Sequence, residues 1–198
     1  LVKGKTEVEG FLPSEDCLST MDIFQKLGVS IEREETRLFI EGKGMEALEV
    51  PTSPLYCGNS GTTMRLMAGI LSGQTFSSVL FGDESLEKRP MGRVLSPLSK
   101  MGAKISAEGE KCTAPLKIEG SALEGICYES PIASAQVKSA VLLASLYAKG
   151  ETVYTEPSLS RDHTERLLSA MGADIETRIL EDGKAEIHLR PGKALHPI

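Results

Sequence analysis

A pattern that returns about every seventy residues constrains this chain more than any other feature of its sequence. Thr20 to Gly28, Val94 to Gly102 and Thr164 to Gly172 each place apolar residues at helical spacing and then stop at a glycine. Gly28, Gly102 and Gly172 lie 74 and 70 residues apart. Glycine just past a helix end suits a left-handed cap. After each glycine comes an alternating run, a turn and a second run. The third copy is the clearest, with Asp174 to Ile179, Asp182-Gly183 and Ala185 to Leu189. Asp-Gly between two alternating runs predicts a hairpin. In the first copy Glu34-Glu35-Thr36 turns the chain back into Leu38-Phe39-Ile40, and in the second Leu116-Lys117-Ile118 returns. Pro97 is expected to kink its helix.

Two of the three units carry an additional helix upstream. Thr62 to Ser72 and Ser134 to Ala148 are apolar nearly all round, which predicts burial at the centre of a domain. Each is followed by a short strand, Thr75 to Phe81 and Thr152 to Thr155. With a lead-in strand, the unit reads βαβαββ. The expected fold is therefore α/β in the broad sense (α+β). It has three βαβαββ repeats, roughly 1–50, 51–122 and 123–198, with buried central helices, sheets outside and one domain over 1–198. The first unit lacks its upstream helix. Lys3-Gly4-Lys5-Thr6 matches Lys149-Gly150-Glu151-Thr152, so a strand and a helix are expected before Leu1.

Composition narrows the class. Hydrophobic residues make up 40% of the 198 and charged residues 25%, and the formal net charge is -6. Such a balance disfavours nucleic acid or an anionic membrane as partner, so any anion site must be a local cluster of positive groups. No apolar run is long enough to span a bilayer as a helix. Cys17, Cys57, Cys112 and Cys127 show no paired spacing and read as free thiols of a cytoplasmic protein. His163, His188 and His196 form no metal-ligand pattern.

The chemistry is expected at helix starts. Gly58-Asn59-Ser60-Gly61-Thr62-Thr63-Met64-Arg65 places two glycines, three hydroxyls and a cation where a loop becomes a helix. Orphan backbone N–H groups make such a place ready for an anion. Arg65 in the first turn opposes the helix dipole and calls for an anionic partner. The plainer reading is a capped helix with a surface arginine. One repeat later, Ser134 could cap the next central helix and Gln136 would project from its first turn. These two could be only a cap and a solvated amide, but their equivalence to Gly61 points to a shared pocket. Glu87-Lys88-Arg89-Pro90-Met91-Gly92-Arg93 sets three cations beside another helix start. In Ser160-Arg161-Asp162-His163-Thr164-Glu165, Asp162 and Glu165 have capping-box spacing and read as structural. His163 reads as a surface histidine. Arg161 is not explained by capping and is a candidate ligand for a carboxylate or phosphate. Phosphate-loop, dinucleotide and nucleophile-elbow glycine motifs are absent. Cations and hydroxyls without an acid–base pair suggest an acidic, phosphorylated small molecule.

Taken in order, the motifs Gly58 to Arg65, Glu87 to Gly92, Ser134 to Ser139 and Ser160 to Glu165 resemble those of the 5-enolpyruvylshikimate-3-phosphate synthase family over essentially the whole chain. The resemblance implies the enolpyruvyl transferase fold of two similar domains with the site between them. It also implies transfer of the enolpyruvyl group of phosphoenolpyruvate to shikimate 3-phosphate in aromatic amino acid biosynthesis, with no metal or other cofactor. Gly61, Arg89 and Gln136 would bind phosphoenolpyruvate; Ser134, Gln136 and Arg161 would bind shikimate 3-phosphate; Thr62 and Arg65 would support the loop. The family's lysine, serine and arginine of the shikimate site would precede Leu1. Its second domain, with the groups assigned proton transfer, would follow Ile198. The chain is thus expected to hold half a site, no catalytic group and no activity alone. Two alternatives remain open at this point. One is a domain like that of the UDP-N-acetylglucosamine enolpyruvyl transferases, although their reactive cysteine has no counterpart between Gly82 and Lys88. The other is a non-catalytic repeat domain of the same architecture.

Overall fold

The structure is a computed structural model that describes residues 1–198. Three layers of repeat emerge from it. The second unit comprises β4 (Leu55–Tyr56), α2 (Gly61–Ser72), β5 (Ser77–Phe81), α3 (Gly92–Lys100), β6 (Lys104–Glu108) and β7 (Thr113–Glu119). Its sheet has the order β4-β5-β7-β6, with β4 parallel to β5 and the other pairs antiparallel. The third unit repeats this with β9 (Cys127–Glu129), α4 (Ala135–Ser145), β11 (Thr152–Glu156), α5 (His163–Ala170), β12 (Asp174–Ile179) and β13 (Ala185–Arg190), in the order β9-β11-β13-β12. The first unit, β1 (Lys3–Val8), α1 (Glu15–Lys26), β2 (Ser30–Glu34) and β3 (Arg37–Lys43), forms the three-stranded part of the same arrangement, β1-β3-β2.

The repeat extends to individual hydrogen bonds. Gly28, Gly102 and Gly172 have φ of 83°, 94° and 91°, in the left-handed region. After each, the next residue's N–H reaches back five positions: Val29 to Phe24 O, Ala103 to Leu98 O and Ala173 to Leu168 O, all at 2.9–3.0 Å. The glycine N–H bonds three back in every case. One Schellman motif has been used three times. The predicted Asp182-Gly183 turn also forms, and Asp182 Oδ1 accepts from Lys184 N–H at 3.1 Å.

The central helices are buried as their composition predicts: nine residues of α2 and eight of α4 are inaccessible. They pack directly on each other. Gly69 lies against the backbone of Ala140, so closely that a β-carbon there would collide with the Ala140 carbonyl oxygen. The apolar core around them draws on the sheets of the second and third units, through Leu80, Leu116, Ile187 and Leu189, and on α1 of the first unit through Ile23 and Leu27.

Three local expectations are corrected. The helix read as Ser134 to Ala148 stops at Ser145. Beyond it Tyr147 covers Gly73, and β10 (Ala148–Lys149) pairs in parallel with β8 (Leu123–Glu124), a two-residue ladder with no sequence signature. The strand read from Thr75 begins at Ser77, because Gln74 folds back to bond Ile70 O at 2.9 Å. The capping box of Asp162 and Glu165 does not form: Asp162 makes no side-chain cap bond. Glu165 turns inward instead, its Oε1 2.6 Å from Lys138 Nζ. A buried ammonium is the stronger attractor for a carboxylate than a solvated backbone N–H.

Candidate active site

The starts of α2 and α4 lie side by side because their helices cross at Gly69 and Ala140. Ser60 caps α2, accepting the Thr63 N–H at 3.1 Å, and Ser134 caps α4, accepting the Val137 N–H at 3.5 Å. These caps take one orphan amide each and leave other first-turn N–H groups without intrahelical partners. Thr63 further ties α2 to α1, through Thr20 at 2.7 Å and the Asp16 carbonyl at 3.3 Å.

Between the two starts the side chains interlock. Gln136 on α4 donates through Nε2 to Thr62 Oγ1 at 2.6 Å, and its Oε1 accepts from Arg65 Nη1 at 3.0 Å. Arg65 also reaches the Pro90 carbonyl at 3.5 Å. Gly61 is buried under two guanidiniums. A β-carbon there would stand 2.5 Å from Arg65 Nη1 and 3.5 Å from Arg89 Nη1. Arg89 is held from the other side by Asn59 Oδ1 and by Ser85 Oγ at 3.4 Å.

Every protein partner of Arg65 and Arg89 is neutral. Arg65 is half-buried, and its acidity is raised first by that burial and then by the like charges of Arg89 and Arg93. Three cations crowded at a helix start without a carboxylate against them make a positive concavity, which suits a multiply charged anion. Asp83 lies near but does not neutralise it. Its Oδ2 accepts from Asn59 Nδ2 at 2.7 Å and its Oδ1 from the Leu86 N–H at 2.7 Å. These bonds hold its carboxyl below the usual aspartate value.

Five of the residues predicted from sequence, Gly61, Thr62, Arg65, Arg89 and Gln136, thus form one cluster, with Ser134 at its edge as the α4 cap. Arg161 is not drawn into it. That side chain is exposed, on the loop before α5, and bonds to none of the five. Asn59 and Asp83 were not singled out from sequence. Asn59 stood inside the glycine-rich stretch, but nothing in the spacing showed that its amide would face Arg89. No group of three or more histidine, cysteine or acidic side chains is placed to hold a metal ion.

The sequence model of the family described as EPSP synthase (3-phosphoshikimate 1-carboxyvinyltransferase) matches residues 1–197. This chain belongs to the EPSP synthase family. It is 57% identical over 175 residues to the 3-phosphoshikimate 1-carboxyvinyltransferase of Bacillus subtilis (strain 168), and 56% identical over 179 residues to that of Citrifermentans bemidjiense. These alignments cover 88% and 89% of this chain, and 41% of each relative. A solved EPSP synthase from Acinetobacter baumannii superposes with a TM-score of 0.93 at 51% identity, covering all of this chain and 44% of that one. The chain therefore spans about two-fifths of the length of these EPSP synthases, with the same fold over that span.

Proposed function

We propose that this chain is most of one enolpyruvyl transferase domain, a single domain over 1–198 with units near 1–50, 51–122 and 123–198. In the parent enzyme it would bind phosphoenolpyruvate and shikimate 3-phosphate in the shikimate pathway of the cytoplasm. One observation carries the reading: Arg65 and Arg89 converge on buried Gly61 with only neutral protein partners. A scaffold gains nothing from uncompensated cations in a partly desolvated place, whereas a polyanionic substrate supplies the missing charge. Its four cysteines are unpaired, in keeping with a reducing compartment.

The residues divide by the ligand that the family resemblance gives each. Gly61, Arg89 and Gln136 receive phosphoenolpyruvate, with Gly61 letting the ligand approach the backbone. Ser134, Gln136 and Arg161 receive shikimate 3-phosphate. Thr62 and Arg65 hold the Gln136 amide in place between them. The reaction is an addition followed by an elimination. The acceptor hydroxyl oxygen bonds to the central carbon of phosphoenolpyruvate, the hydroxyl proton leaves, and the methylene carbon takes up a proton. The new methyl group then loses a proton as the bond to phosphate breaks, which restores the double bond and releases inorganic phosphate. The cluster contributes fixed positive charge to the anions involved. It contains guanidiniums, amides and hydroxyls but no acid–base pair, so a second domain of the parent would supply the proton transfers. The 198-residue chain alone should release no phosphate.

The test is Arg89→Ala in the full-length enzyme. Loss of a preorganised cation should lower kcat/KM for phosphoenolpyruvate by about 10²–10³-fold, near 3 kcal/mol, with the circular dichroism unchanged. An unchanged rate would favour the non-catalytic repeat reading. Competition adds a second check: displacement of the acceptor by UDP-N-acetylglucosamine but not by shikimate 3-phosphate would overturn the choice of substrate.

A further inference from the structure

Lys138 is the one fully buried lysine of the chain and stands two residues beyond Gln136 on α4. Its ammonium lies 2.9 Å from Glu156 Oε1 at the end of β11, and 2.6 Å from Glu165 Oε1 in the first turn of α5. It also donates to the carbonyl oxygen of Ser160 at 3.4 Å. Glu156, itself fully buried, accepts from the Ser160 N–H at 2.8 Å and from Ser160 Oγ at 2.9 and 2.8 Å on its two oxygens. Three donors therefore tie Ser160 to this pair: the lysine ammonium gives to its carbonyl, and its own N–H and hydroxyl give to the Glu156 carboxylate. Ser139 Oγ and Thr164 Oγ1, 2.7 Å apart, pin the far side of the same turn to α4. The next residue, Arg161, is exposed and has no ion pair of its own.

This is more anchoring than a surface loop needs. A bare helix start could be capped by Asp162, and it is not. We propose that Lys138 is a positioning residue: through Glu156 and Ser160 it fixes the backbone from which Arg161 projects, at a set distance from Gln136 on the same helix. Lys138 touches no substrate. It makes Arg161 a preorganised ligand for the phosphorylated acceptor, and a long, otherwise free side chain loses less freedom on binding when its backbone is fixed. The inference rests on the assignment of Arg161 to that acceptor, and the experiment separates the two.

In the full-length enzyme, KM for each substrate and kcat are measured for Arg161→Ala, Lys138→Met and the double variant. Arg161→Ala alone tests the assignment. It should raise KM for shikimate 3-phosphate at least tenfold and change KM for phosphoenolpyruvate less than about twofold. Lys138→Met should raise the same KM about tenfold with the same selectivity, and the double variant should be no worse than Arg161→Ala. Should Lys138→Met fail to fold, Ser160→Ala takes its place, since it removes the hydroxyl contacts to Glu156 and leaves the backbone bonds of residue 160 and the ion pairs intact. It should raise that KM about threefold and again show no further effect on top of Arg161→Ala. Multiplying effects, or equal losses for both substrates, overturn the positioning role. An unchanged KM in Arg161→Ala overturns the assignment of Arg161, and the proposal with it.

Discussion

Asp83 meets Arg89 only through the side-chain amide of Asn59. The amide nitrogen donates to the carboxylate at 2.7 Å and the amide oxygen accepts from the guanidinium. The carboxylate thus orients the amide without discharging the cation, and Arg89 stays available to a ligand. Asn59→Asp should reverse this by setting a carboxylate directly on Arg89. In the full-length enzyme KM for phosphoenolpyruvate should rise about tenfold, near 1.4 kcal/mol. KM for shikimate 3-phosphate should move much less. An unchanged KM for phosphoenolpyruvate would show that Arg89 does not need its free charge.

Gly61→Ala introduces a methyl group 2.5 Å from Arg65 Nη1 and 3.5 Å from Arg89 Nη1. The first contact is with the end of a flexible side chain, so Arg65 can yield. Its yielding breaks the bond to Gln136, and the methyl then occupies the floor of the pocket. A competing anion longer than phosphoenolpyruvate should lose more affinity than the substrate does. The ratio of inhibition constant to KM is expected to rise at least tenfold, a typical cost of overpacking. Equal weakening of both would defeat this steric account.

Lys138→Met leaves two buried carboxylates without their ammonium. Removing one member of a buried ion pair costs about 3–5 kcal/mol, a large share of the 5–15 kcal/mol expected for a domain. The urea midpoint should fall accordingly. Adding Glu156→Gln and Glu165→Gln removes the orphaned charges and should recover part of the loss. A triple variant no more stable than the single would point to packing rather than charge as the cause.

His188 lies between Glu186, 2.6 Å from Nε2, and Glu151, 3.1 Å from Nδ1. The bond to Glu186 chiefly holds the imidazolium, raising its pKa above the usual 6.5. A raised histidine pKa stabilises the fold below the unfolded value, and that contribution is lost as pH rises through the folded value. Wild type should therefore exceed His188→Gln in denaturant midpoint below the ordinary histidine value, with the gap closing as pH rises through the raised one. A gap that widens with pH would reverse the assignment.

The fold was legible because its signals are local and repeated. Three glycine-stopped helices and one Asp-Gly hairpin set the unit length, and the all-round apolar character of α2 and α4 set the layers. The residues that cluster were legible where they lie at helix starts. The rest depends on partners distant in the chain. Gln136 meets Thr62 and Arg65 across more than seventy residues, which no local spacing encodes. Glu165 had capping-box spacing to Asp162, yet a lysine 27 residues earlier in the chain took it. Lys138 itself read as part of an apolar helix, and its burial depends on carboxylates brought in by β11 and α5.

The contact of Gly69 with Ala140 acts as a ruler. Gly69 is eight residues from Gly61, or about 12 Å along the helix, and it touches neither the cluster nor its cations. Yet it sets how far apart the two helix starts stand, and so the width of the space between them. A larger residue there would spread the helices and register in an assay as poor substrate affinity, with every residue of the pocket unchanged. A genetic screen for weakened binding should therefore return Gly69 alongside Gly61, although only one of the two belongs to the cluster.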